Sequence, residues 1–145
     1  MDINATKSPA ATMPRPCSGY VLPSVLMRAH ILARGDEPGA GWAWSVSGKP
    51  RQTAADIDRI SAAFDRMLDA ARDFATPDIR PRAGVIYGDK MATVSLVFAE
   101  GEAAVQTEKC GLLHARLAHV QAVFAEHGGA LEIGAGWMTA VLPLA

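Results

Sequence analysis

Apolar residues recur at helical spacing in two long stretches and alternate with polar ones in several short stretches. Over Thr53–Ala75, the residues Ile57, Ile60, Phe64, Met67, Leu68, Ala71 and Phe74 form one stripe. Asp58, Arg59, Asp65, Arg66, Arg72 and Asp73 cover the other faces, the pattern of a helix that lays one side on a core. Thr53 is the expected cap, with Asp56 three residues on, and Thr76-Pro77 ends the helix. A second helix is expected from about Cys110. There Cys110, Leu113, Leu117, Val120 and Phe124 share a face that Leu112 and Val123 broaden, and Gly128-Gly129 supplies a left-handed stop.

Alternation with a period of two marks the strands. WAWSVSG (42–48) has Trp42, Trp44 and Val46 on one side. AGVIYG (83–88) and MATVSLVFAE (91–100) are joined by Gly88-Asp89-Lys90 and read as an antiparallel hairpin. ALEIG and GWMTAVLPL close the chain as a second hairpin about Gly134-Ala135-Gly136. The order strand, helix, two strands, helix, two strands predicts an α+β two-layer sandwich, with the helices on one face of a mixed, mainly antiparallel sheet.

The first third is less regular. Residues 1–18 carry Pro9, Pro14 and Pro16 among small polar residues and read as a disordered tail, leaving 19–145 as a single domain. Residues 23–34 are open to two readings. Pro23 suits a first helical turn and Gly35 a stop. Leu26, Arg28, His30 and Leu32 also alternate with their neighbours, as in a strand. The helix is the reading preferred.

Composition narrows the partners. A chain of 145 residues with 50% hydrophobic and 20% charged residues can bury a core. Fourteen basic against fifteen acidic residues give a net charge of −1, so no basic excess recruits nucleic acid or an anionic membrane. No apolar run approaches the ~20 residues of a membrane span, and the first residues lack a secretory pattern. Cys17 and Cys110 stand far apart, as free thiols of a cytoplasmic protein do.

The closing pattern carries a resemblance. A helix ending in His127-Gly128-Gly129, an apolar strand, a glycine turn and a strand closing on Leu142-Pro143 resemble the end of the histidine-kinase ATP-binding domain. That domain belongs to the GHKL, or Bergerat, group shared with gyrase and MutL. The matching residues are Val120–Gly129, Ala130–Gly134 and Thr139–Leu144, and RMLDAARDFA (Arg66–Ala75) is similar to the family's asparagine-bearing helix. The resemblance spans about residues 42–145.

It implies an ATP site whose parts can be looked for: an Asn holding Mg²⁺ on the first helix, an Asp taking the adenine amino group, and glycines that let backbone approach the nucleotide. Here the Asn position is Ala70. The Asp and glycine position falls in Ala99–Ala103, with Glu100 shifted and Gly101 the single glycine. The glycine box before the last helix falls at Leu112-Leu113-His114, with Gly111 the only glycine in reach. The intervening segment is short for an ATP lid.

The resemblance therefore implies a retained fold and a degenerate nucleotide site with no cofactor, as in the ATPase-like half of ChpT-type histidine phosphotransferases. The implied function is non-catalytic bacterial signal transduction through a response regulator, a kinase or a second copy of the chain. The alternative is a divergent histidine kinase or anti-sigma-type serine kinase that binds Mg-ATP.

Other residues add little chemistry. His30 lacks the acidic neighbour and following proline of a phospho-acceptor. His114 and His119 lie five apart on a helix and cannot share a metal, while His127 in the last turn suits the helix dipole as a cation. Glu100, Glu102 and Glu108 read as a solvated acidic loop. Trp42, Trp44 and Trp137 read as packing residues.

Overall fold

The alternating segments pair into one five-stranded sheet, and every amphipathic helix lies against the same face of it. The computed structural model describes residues 15–35, 41–76, 79–99 and 107–145. The elements are β1 (Gly19–Val21), α1 (Pro23–Ala33), β2 (Ala43–Ser47), β3 (Thr53–Ala55), α2 (Ile57–Phe74), β4 (Arg82–Tyr87) and β5 (Met91–Val97). They continue with α3 (Thr107–Arg116), α4 (Ala118–Glu126), β6 (Ala130–Gly134) and β7 (Trp137–Pro143). The large sheet has the order β2-β4-β5-β7-β6, with β2 parallel to β4 and the other pairs antiparallel. A small ladder pairs β1 with β3. The α+β sandwich of the sequence reading is the observed architecture.

Register explains the burial. Val85 of β4 pairs with Val94 of β5, and Val94 with Ala140 of β7. All three point into the core, as do Leu96, Met138 and Leu142. Against them α2 buries Ile60, Phe64, Met67, Leu68 and Ala71. Large apolar side chains each contribute roughly 1.5–3 kcal/mol when fully buried, so this seam dominates the fold. At its centre Phe64 stacks on Phe124 of α4, with ring centroids 6.1 Å apart.

Three expectations are corrected. Thr53 does not cap α2. It lies in β3, 1% exposed, with its hydroxyl donating to the Pro143 carbonyl at 2.5 Å. The cap is Asp56, whose carboxylate accepts from Arg59 N–H at 3.3 Å. Thr53 and Asp56 can each cap a helix, and pairing of 53–55 with β1 decides between them. Secondly, the last helix is interrupted at Leu117, although Leu117 N–H still reaches the Leu113 and His114 carbonyls and the ladder resumes at Gln121. Thirdly, Leu112 does not widen the buried face but stands 60% exposed. The seam runs through Leu113, Leu117, Val120 and Phe124, and Leu112 sits about 100° around the helix from it.

Pro23–Ala33 form a helix, the reading preferred for 23–34. Gly128 takes φ +81° to end α4, and Gly136 takes φ +87° in the turn between β6 and β7; side chains rarely adopt that conformation. Of the expected tail, 15–18 are described, and Ser18 bonds to Ala55 and Ile57; residues 1–14 lie outside the description.

Arg34 clamps α1 to α2. Its guanidinium donates to Asp69 Oδ1 at 2.7 Å and to Asp65 Oδ1 at 2.6 Å. The Arg34 hydrogen bond, with its charge and that of His30 adding, holds the Asp65 carboxyl below its usual range against some opposing burial. A carboxylate whose folded pKa lies below the unfolded value of about 3.9 stabilises the fold above that value, and the contribution disappears as pH falls through the folded one. Thermal midpoints measured from pH 7 down to pH 3 are therefore expected to fall at the acid end. Asp65→Asn should start lower at pH 7 and show a shallower acid decline. An Asp65→Asn profile parallel to that of the parent would refute the clamp's electrostatic contribution.

Candidate functional site

Of the positions that the resemblance assigns to a nucleotide, Ala70 and residues 111–114 lie in the helix layer. Ala70 is on the inner face of α2, 0% exposed, and its methyl belongs to the apolar core. It offers no lone pair to a metal ion and faces no solvent through which one could arrive. Gly111 lies within α3 and is exposed, and a Cβ added there would meet nothing within 4 Å. Among the described residues, none comes close enough to require its lack of a side chain. Leu112, Leu113 and His114 are helical and do not form a loop at the helix start. Glu100, Gly101 and Glu102 lie outside the described residues, as does the side chain of Glu108.

One turn beyond Ala70 and Leu113, the two helices are tied directly. Arg116 Nη1 of α3 pairs with Asp73 Oδ2 of α2 at 2.6 Å. The Arg116 hydrogen bond, helped by Arg72, holds the Asp73 carboxyl below its usual range. The helix that would hold the metal presents a buried methyl, and the neighbouring carboxylate is engaged by an arginine.

The histidines divide by environment. His30 on α1 turns toward α2, with Nε2 2.7 Å from Ser61 Oγ and Nδ1 3.6 Å from Asp65 Oδ1. Both nitrogens have a neighbour, which suits helix packing better than phosphoryl acceptance. His114 and His119 are exposed. His127, placed by the sequence in the last turn of the helix, is 0% exposed. Its Nδ1–H donates to the Val123 carbonyl at 2.7 Å, and Nε2 accepts from Asp56 N–H at 3.0 Å. A carbonyl can only accept and an amide N–H can only donate, so the imidazole is neutral. It joins the end of α4 to the cap of α2. A His in a last turn reads as a dipole partner from sequence alone, so only its position two residues before Gly129 hinted at this role.

Among the described residues, no group of three His, Cys, Asp or Glu side chains could hold a metal, and Cys17 and Cys110 are free thiols. No described helix is long and apolar enough to cross a membrane. Two concavities stand out. A slot of about 80 Å³ between α2 and α4 is lined by Arg59, Arg66, His119 and Val120 among others. A groove of about 320 Å³ lies on the sheet, around Ser45, Gly84 and Ser95.

With the fold and these positions in view, the class is defined: this is the α+β sandwich of histidine-kinase ATP-binding domains. The mycobacterial sensor histidine kinase MprB superposes with a TM-score of 0.61 at 19% identity, over 87% of this chain and 97% of that one. The ATP-binding domain of PrrB from Mycobacterium tuberculosis gives 0.64 at 18% identity, over 88% and 97%. Histidine kinase ThkA, in complex with the response regulator protein TrrA, gives 0.71 at 12% identity, over 88% of this chain and 42% of ThkA. No protein-family model and no curated protein sequence matches the chain.

Proposed function

We propose that this chain is a non-catalytic module of bacterial two-component signalling, which keeps the kinase ATPase-like fold and acts by binding a protein partner, a response regulator or a kinase. The observation that carries this reading is Ala70, a fully buried methyl where the resemblance calls for the metal-holding asparagine. The Asp73–Arg116 pair between the flanking helices supports it. The partner class is supported by ThkA, a similar fold found with a response regulator, and by a net charge of −1, which favours neither nucleic acid nor membrane. The working place of such a module is the cytoplasm.

The rival is a divergent histidine kinase or anti-sigma-type serine kinase that uses Mg-ATP. Calorimetric titration separates them. Mg-ATP at up to millimolar concentration is expected to give no saturable heat, and Ala70→Asn alone is expected not to create binding. Saturable micromolar binding to the parent chain would sink the non-catalytic reading.

A further inference from the structure

The helices cover one face of the sheet and leave the other open. On that open face lie the residues out of phase with the core positions of each strand. The register places Ser45, Gly84, Ser95, Thr139 and Glu132 side by side across all five strands. The neighbouring row brings Ile86 beside Thr93 and Val141. No residue of either row is buried; Ile86 is 57% exposed and Trp137, at one end of the face, 40%.

The face is nearly free of charge. Among the described residues, Arg82 and Glu132 are its only ionisable groups, whereas the outer faces of α1 and α2 carry Arg28, Asp58, Arg59, Arg66 and Arg72. Its floor is also low around β4. Gly84, Ser45 and Ser95 line the groove of about 320 Å³, flanked by Ile86 and Val97. At the far side the Trp137 ring lies over Gly134. The face thus combines few charges with a depression and the apolar side chains Ile86, Val97 and Trp137.

We propose that a second copy of this chain docks on this face, the two sheets packing face to face about a two-fold axis that runs along β5. Dimension selects the occupant. Five strands at about 4.8 Å and five or six residues at about 3.4 Å give a plate of roughly 24 by 20 Å, about twice the width of a single helix. Two such plates bury on the order of 1,000–1,200 Å² in total, at the lower edge of what a specific interface needs. Aligned sheets pack about 10 Å apart, and the two-fold makes the patch its own complement.

The chemistry agrees with that axis. It lays β4 of one copy over β7 of the other and β2 over β6. Arg82 then lies opposite Trp137 of the second copy, in the same row. Glu132 meets the hydroxyl of Ser45, Gly84 receives Thr139, and no like charges are opposed. The inference does not depend on whether the chain binds nucleotide.

Sedimentation equilibrium between about 1 and 100 µM tests it on the full chain. The mass is expected to rise from 15.3 kDa toward twice that value, with a dissociation constant on the order of micromolar. Ser95→Arg sets two guanidinium groups against each other at the axis and should weaken association at least ~100-fold while circular dichroism stays unchanged. Thr93→Arg, one row away, serves if that variant does not fold. Ala122→Arg, on the exposed side of α4, should leave the dimer intact. A mass of 15.3 kDa throughout, leaving the face to another protein, overturns the proposal. So does a dimer that survives both β5 charges.

Discussion

Replacing Phe64 with alanine is expected to lower the free energy of unfolding by about 3–5 kcal/mol, a large fraction of the 5–15 kcal/mol typical of a domain this size. Phe64 is fully buried and occupies the middle of α2, where the stripe meets both the sheet and α4. Truncation removes a ring from a close-packed seam that relaxes only partly, so a lost transfer term and a cavity add together. Phe124→Ala on α4 should cost a similar amount, since that ring is equally buried. Because the two rings stack at 6.1 Å, the double variant should lose less than the sum, by about 0.5–1.5 kcal/mol. Urea unfolding of the four proteins closes the cycle. Strict additivity would show that the rings act through the sheet and not through each other.

His127→Ala is expected to cost about 3 kcal/mol, well above a surface substitution. The change opens a cavity in a fully buried place and leaves Asp56 N–H without its acceptor, a penalty of roughly 1–3 kcal/mol by itself. The Val123 carbonyl suffers less, because it also accepts from His127 N–H at 3.3 Å. His127→Phe separates the two contributions. It refills much of the space but cannot accept a hydrogen bond, so it should recover part of the loss. Asp56→Ala removes the side-chain cap alone and should cost about 1 kcal/mol. A loss below 1 kcal/mol for His127→Ala would show that the imidazole joins nothing.

The comparison of sequence with structure has a physical pattern. The strands β4, β5 and β7 were legible because six or seven alternating residues carry enough of the period to exclude a helix. The stripe of α2 was legible for the same reason at its own period. β1 and β3 were not, since three residues cannot display a period at all. Their existence also displaced the helix start from Thr53 to Asp56. The Arg34 clamp joins residues more than thirty positions apart, and nothing local marks an arginine as a bridge.

The candidate site divides in the same way. That Ala70 lacks a metal-binding group follows from its name. That its methyl is sealed in the core, and that Asp73 one turn on is taken by Arg116, requires coordinates.

The strand order β4-β5-β7-β6 has a consequence for how the chain is assembled. β5 and β7 are the second strands of two hairpins, each preceded by its own helix, α2 or α4. The antiparallel seam between them relates the two halves by an approximate rotation, with Phe64 and Phe124 meeting above it. The domain is in effect a pseudo-duplex: two helix-and-hairpin units of local topology, docked chiefly along that ladder and that pair of rings. Contacts within each unit form at short sequence separation and therefore early. The long-range closure lies along that seam, with His127 to Asp56 and Arg116 to Asp73 as further ties, so an interruption between β5 and α3 leaves each unit complete and the surface for their re-docking whole.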